Sequence, residues 1–285
     1  MSAQLAVASC APGWRVDDCL NAVEDRCRKF IAPASDTHND RFDESARAAA
    51  YHLDRGGQQV RAKLALDAAR HLGLSAPTAI TLASTCELLH NASLIHDDLQ
   101  DRDNTRRGGA AVWKTFGEAT AICTGDLLLS AGYACLAELD DRTHLAPMLS
   151  LVHTRIAEAI QGQTADVAHR TSPVEDVATY LRIVAGKSGA LLSLPLELAL
   201  LAARQHQWSD KAREAAQAFA IGYQIADDLN DIDKDAGSDA IAPTLNLVLL
   251  LRRRIGSGIE SGIDTHTEVD AYCIALARHH LTPPP

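Results

Sequence analysis

Residues 87–109 read ELLHNASLIHDDLQDRDNTRRGG, a stretch that begins as a core helix and ends as a binding ledge. Leu88, Leu89, Leu94 and Ile95 recur at helical spacing, and Asp97, Asp98 and Asp101 then follow in a DDxxD pattern. Residues four apart on a helix share a face, so Asp97 stacks with Asp101. Like charges at that spacing weaken a bare helix by about 0.2–0.5 kcal/mol, so the pattern makes sense where a cation sits between the carboxylates. A second DDxxD lies in residues 223–235, YQIADDLNDIDKD, where Asp227 and Asp231 stand in the same relation behind Phe219, Ile221 and Ile225. The bland alternative is a solvated acidic face. With 26 aspartates in 285 residues, chance supplies DDxxD about 0.2 times, and two copies in roughly one such chain in fifty.

Working outward, alanine and leucine dominate, Pro and Gly are sparse between about residues 112 and 235, and alternating β-branched runs are missing. The chain therefore reads as all-α, with helices of roughly 15 to 28 residues, longer than the usual 11 or 12. Breaks fall at residues 33–40, at Gly56-Gly57, at Leu74 to Pro77 with Ser75 as N-cap, and at Ser172-Pro173 as a second N-cap. Long helices of this kind suit a bundle with a ligand cavity at its centre. One composition regime predicts a single domain over residues 14–281, with mobile ends at 1–13 and 282–285 and a further mobile stretch from Gly256 to Gly262.

Charge and cysteine content narrow the function. The net charge of -10 excludes a nonspecific nucleic-acid binder that relies on a basic field, and it requires local cations or metals for any polyanionic ligand. No stretch approaches the 18 or so uninterrupted apolar residues of a membrane span, and the first residues lack a basic start and a strong apolar segment, so a soluble protein without a secretory signal is expected. The seven cysteines are odd in number and never spaced CxxC, which fits a reducing cytoplasm better than a disulfide framework or zinc site.

Hard carboxylate oxygens without a histidine cluster favour Mg²⁺, which retains waters and takes substrate phosphates as further ligands. A diphosphate substrate follows. Arg106, Arg107 and Lys187 are the cations at hand to hold it. Competing motifs are poor: Gly186-Lys187-Ser188 imitates the end of a phosphate loop, but Leu181 stands where glycine is required.

Five blocks in order, ELLHNASLIHDDLQDRDNTRRG, TGDLLLSAGY, GQTADV, KSGALLSLP and GYQIADDLNDIDKD, resemble the trans-polyprenyl diphosphate synthases, the family of farnesyl and geranylgeranyl diphosphate synthases. The resemblance runs from about Gly56 to Leu247. It implies an all-α bundle of about a dozen helices around a deep central cavity, of the isoprenoid synthase type. A homodimer is implied as well, with the two aspartate motifs facing across the cavity and three Mg²⁺ ions bridging them to an allylic diphosphate. By position, Asp97, Asp101 and Asp227 match the ligands, while Asp98 and Asp231 support through hydrogen bonds or water. Arg106 and Lys187 match residues that grip the allylic diphosphate, and dipoles near Lys187, Ser188 and Gln224 lie beside the transient positive charge. Arg61, His90 and Arg107 match contacts to isopentenyl diphosphate. Product length in the family depends on side chains just before the first motif, and the small Ala92 and Ser93, with Leu89 a turn deeper, imply a chain of C20 or somewhat longer.

One departure matters. The family pattern GGKRxRP reads GGQQVRA at residues 56–62, so neutral Gln58 stands in place of a lysine. Losing one charge-assisted contact costs roughly 1.5 to 3 kcal/mol. The loop after the second motif also looks short, with Lys234 as its nearby ammonium. Three functions are therefore expected, in falling order: a Mg²⁺-dependent elongase joining an allylic diphosphate to isopentenyl diphosphate, a terpene-synthase-like lyase ionising one prenyl diphosphate, and a regulatory subunit of a heteromeric synthase.

Overall fold

The computed structural model describes residues 13–32, 43–169, 176–230, 247 and 273–276. Of the stretch read as mobile at residues 1–13 all but Gly13 lies outside them, as do those at 256–262 and 282–285, the loop at 33–40 and the Ser172-Pro173 cap. Among the described residues the chain forms α1 (Val16–Ile31), α2 (Glu44–Leu53), α3 (Val60–His71), α4 (Ala76–Gln100), α5 (Val112–Phe116), α6 (Glu118–Leu136), α7 (Leu145–His169), α8 (Val177–Val184), α9 (Ala190–Ala202) and α10 (Ser209–Asn230). Two two-residue strands, β1 (Thr105–Arg106) and β2 (Gly109–Ala110), make the one departure from helix and turn among the described residues. The all-α expectation holds. Helix lengths scatter more than predicted, from 5 residues in α5 to 25 in α4 and α7. Gly56, Gly73 and Gly117 take positive φ at the breaks, a conformation that ends a helix cheaply only for glycine.

Uniform composition gives no sign of a boundary, yet the chain groups into two compact units: Met1–His153 with Leu194–Ser209, and Thr154–Ser193 with Asp210–Pro285. In the first unit α4 is the central helix, touching α1, α3, α5 and α6. Ser75 caps it by accepting from Thr78 N (3.3 Å), with proline in its first turn. Its neighbours come close because the facing residues are small: Ala62, Ala65, Ala69, Ala83 and Ala131 are all buried in one core. A Cβ on Gly132 of α6 would lie 2.6 Å from the Leu89 side chain, and one on Gly125 only 2.1 Å from the His96 ring. Those two glycines belong to the TGDLLLSAGY block, so its spacing is a packing requirement of the helix that ends in the first aspartate motif.

The second unit places Tyr180 and Val184 of α8 against Ile221 and Ile225 of α10 in a small core with Leu247 and Cys273. Asp176 caps α8 by accepting from Thr179 N at 2.7 Å. A five-residue π turn (Ala185–Gly189) follows α8 and contains Lys187 and Ser188. Two helical stretches, Glu118–Leu136 and Val177–Ala202, are long and apolar enough to cross a membrane, and 44% and 67% of their apolar windows are buried within the structure.

Candidate active site

At the C-terminal end of α4 the two aspartates of the DD pair diverge. Asp97 is half-buried, whereas Asp98 is 1% exposed and turned inward. Arg106 donates from Nε (2.8 Å) and from Nη2 to the same Asp98 oxygen, Oδ1. Burial pushes the Asp98 carboxyl up from its usual range, and the hydrogen bond from Arg106 opposes that shift. Asp101 ends the helix half-buried, its N–H bonded to Asp97 O at 2.7 Å. The helical ledge thus consists of Asp97 and Asp101, as the spacing predicts, and Asp98 holds Arg106 from within.

The ribbon β1–β2 turns through Arg107 and Gly108, both left-handed (φ 51° and 77°), with Arg106 paired to Gly109. This is the two-residue geometry that favours Asn-Gly, and a β-substituted arginine takes it at some strain. The turn lays the Arg107 guanidinium on Gly57, where a Cβ would come within 2.8 Å of it. Gln59, also left-handed (φ 51°), donates from its amide to Glu24 of α1. Gln58 is exposed, and its carbonyl oxygen accepts from Lys63 Nζ at 2.9 Å. Two turns along α4 from the ledge, Arg61 Nη1 donates to His90 Nε2 at 3.1 Å. His90 is therefore neutral. Burial, then Arg61 and Arg107, hold its pKa well below the ordinary imidazole range. Arg61 Nε and His90 Nδ1 are both buried without a partner, as polar atoms are beside an anion site.

A narrow cleft of about 40 Å³ opens beside this cluster, lined by Gly57, Gln59, Glu87, Asn91 and Arg107 among others. Leu89 and Ala92 do not face open space in this unit. Leu89 packs on Gly132, and Ala92 sits in the alanine core, leaving Ser93 half-buried with its hydroxyl on His90 O at 2.8 Å.

The second unit repeats the divergence of the DD pair. Asp227 is exposed, while Asp228 is 3% exposed and accepts from Tyr180 Oη (2.6 Å), Gln224 Nε2 (2.9 Å) and Leu247 N (2.8 Å). Asp231 and Lys234 lie outside the described residues. Lys187 Nζ is paired with the carboxylate of Asp166, in the GQTADV block, and Ser188 beside it is half-buried. Gly162 of that same block lies so close to the π turn that a Cβ would sit 2.3 Å from Lys187 N. The sequence reading missed Asp166, Asp228 and Tyr180; Asp228 was visible as the second residue of its DD pair, which the first motif shows turned inward.

Among the described residues no three His, Cys, Asp or Glu side chains gather as a metal cage. A two-carboxylate ledge instead suits a hard cation that draws its remaining ligands from water and phosphate.

Comparison with known proteins gives one consistent answer. The family described as Polyprenyl synthetase matches residues 43–240. A geranylgeranyl diphosphate synthase of Methanosarcina mazei is 29% identical over 219 residues, 74% of this chain and 68% of that protein. A (2E,6E)-farnesyl diphosphate synthase of Mycobacterium bovis is 33% identical over 217 residues, 70% of this chain and 59% of that protein, so the match spans little more than half of that relative. The solved geranylgeranyl pyrophosphate synthetase of Geoglobus acetivorans superposes with a TM-score of 0.77 at 24% identity, covering 93% of this chain and 88% of that one.

Proposed function

The chain belongs to the polyprenyl synthetase family, and from that premise we propose that it is a prenyltransferase that joins an allylic prenyl diphosphate to isopentenyl diphosphate. The observation that supports elongation is the grouping of Arg61 at the start of α3 and Arg107 in the β1–β2 turn against His90 and Asn91 of α4, the helix that ends in the first aspartate motif. It keeps a second anion site despite the neutral Gln58. A lyase that ionises a single substrate has no use for it.

In this reading Asp97 and Asp101 at the end of α4, and Asp227 of the second motif with Asp231 in support, would hold Mg²⁺, three ions when the diphosphate is bound. Bound Mg²⁺ supplies charge neutralisation for the departing diphosphate. Arg106, steadied by Asp98, and Lys187, which exchanges Asp166 for substrate, grip the allylic diphosphate. The allylic C–O bond breaks with its electron pair leaving on oxygen. Side-chain and backbone dipoles at Lys187, Ser188 and Gln224 face the carbon that becomes positive. Arg61 and Arg107 hold the isopentenyl diphosphate, whose double bond forms the new C–C bond and then sheds a proton to the released diphosphate.

Homodimeric assembly, a cytoplasmic setting and a product of C20 or longer complete the proposal. The setting is supported by six free cysteines, five of them buried, among the described residues.

The experiment is an assay of purified protein with Mg²⁺, labelled isopentenyl diphosphate, and dimethylallyl, geranyl or farnesyl diphosphate offered singly. Longer labelled prenyl diphosphates support elongation. Hydrocarbons or alcohols without label would establish the lyase, and absence of turnover the regulatory subunit. Asp97→Ala and Asp227→Ala should each abolish turnover with helicity retained.

A further inference from the structure

Beside the second anion site runs a line of buried polar groups, of which Glu87 and Asn91 also reach the cleft wall. Helix α3 begins at Val60, and its N-cap, Gln59, is left-handed and offers no side-chain cap to the first amides. Glu87 of α4 does so instead. Its Oε1 accepts from Ala62 N at 2.9 Å, capping α3 from a neighbouring helix, one residue beyond Arg61. One turn further along α4, Asn91 donates from Nδ2 to Glu87 O (2.7 Å) and reaches Glu87 Oε2 at 3.5 Å. Its own Oδ1 accepts from His52 Nε2 (3.0 Å) and from Arg107 Nη2 (3.4 Å). Glu87, Asn91 and His52 are all buried.

The two arginines of the anion site therefore hang on one frame: Arg61 through the first turn of α3, and Arg107 through Asn91. Two guanidiniums near one another repel, and Arg107 takes a strained left-handed backbone to reach its place. Burial pushes the Glu87 carboxyl up, opposed by the Ala62 N–H bond and then by Arg61 and Arg107, so what Glu87 contributes here is its hydrogen bonds.

We propose that Glu87 and Asn91 are positioning residues for the isopentenyl diphosphate site, fixing Arg61 and Arg107 at the separation that grips a C5 diphosphate where Gln58 contributes no charge. The inference rests on the elongase reading above. Preorganised donors lose their effect when either is left free to move, and one loosened charge-assisted contact is worth about tenfold in affinity.

Steady-state kinetics with saturating allylic primer and varied isopentenyl diphosphate test it. Glu87→Ala and Asn91→Ala should each raise the KM for isopentenyl diphosphate about tenfold, with kcat and the allylic KM within about threefold of wild type. Glu87→Gln keeps an oxygen for Ala62 N and should restore the KM. A merely structural role would lower the active fraction and the melting temperature while both KM values stayed put, and that result overturns the proposal. If Glu87→Ala fails to fold, Asn91→Ala and Glu87→Gln still give the reading, because each leaves α3 capped. Arg61→Ala and Arg107→Ala separate the two layers: if they raise the KM and Asn91→Ala does not, positioning alone is wrong, and if they leave isopentenyl diphosphate binding by calorimetry unchanged, the anion-site reading falls and the proposal with it.

Discussion

Within each DDxxD the second aspartate does different work from the first. Asp98 and Asp228 are both buried and both accept from a neighbouring side chain, Arg106 in one case and Tyr180 with Gln224 in the other. Removing one partner of a buried charged pair leaves the other without compensation. Asp98→Ala should thus free Arg106, raising the allylic diphosphate KM about tenfold while the Mg²⁺ concentration for half-maximal rate stays near wild type. A shifted Mg²⁺ requirement instead would make Asp98 a ligand. His52 gives a pH signature. Burial first, then Arg107, lowers its pKa to about 4 from 6.5, against the hydrogen bond to Asn91, with Arg106 and Arg55 pushing the same way. Between those values the unfolded chain binds a proton that the native state refuses, so stability rises with pH across the window and is lost as pH falls through it. From pH 7.5 to 5 that loss is about 2 kcal/mol. In urea unfolding, His52→Gln, which keeps a donor for Asn91, should lose about that much less than wild type over the same interval. Equal losses would show that His52 titrates normally. At this scale the sequence reveals what periodicity encodes: the i, i+4 relation identifies Asp97 with Asp101, and a seven-residue step brings His90 onto the same face. It points to Arg107 as a candidate cation but conceals the backbone turn that places it, because that left-handed turn is set by an Arg-Gly pair, which lacks the asparagine or aspartate that usually announces it.

Helices in this protein are brought together by glycines, and one of these contacts is backbone against backbone. Gly162 of α7 meets the π turn that contains Lys187 with no room for a methyl group, since a Cβ there would lie 2.3 Å from Lys187 N and 2.7 Å from Gly186 C. Both contacts are backbone, so no side chain can rotate away to relieve them. Gly162→Ala must displace the π turn, and Lys187 with it, away from Asp166. The expected outcome is a kcat loss of at least tenfold with α7 still helical by circular dichroism, because alanine favours helix over glycine by about 1 kcal/mol. Unchanged kcat would mean that the position of the π turn does not matter to turnover. Gly132→Ala is the matched comparison, as it meets only the flexible end of Leu89 and should cost stability more than rate. The helical spacing of Leu88, Leu89, Leu94 and Ile95 and the Ser75 cap were enough to locate α4. The π turn was not legible, because the two glycines of AGKSG mark a weak point in a helix without specifying π geometry, and α7 packs directly against it.

A chain with net charge -10 that handles polyanions must assemble its attraction locally, and this is where the whole molecule constrains the chemistry. In the first unit Arg61, Arg106 and Arg107, and in the second Lys187, are each engaged with protein groups, so each cation is already partly balanced. Mg²⁺ offered alone meets a two-carboxylate ledge that supplies too few ligands, and pyrophosphate alone meets the aspartates. Each should bind weakly. Offered together, they complete one another's coordination, and binding to the native state at a hundred times the dissociation constant stabilises it by about 2.7 kcal/mol. For a chain of this size that corresponds to a rise of roughly 5–10 °C in melting temperature. Differential scanning fluorimetry should therefore show a shift of several degrees with Mg²⁺ and pyrophosphate together and little with either one, and Asp97→Ala should remove most of it. An equal shift from Mg²⁺ alone would point to a preformed metal cage, against the carboxylate arrangement described. An equal shift from pyrophosphate alone would mean that cationic side chains suffice, and the aspartates would then need another role.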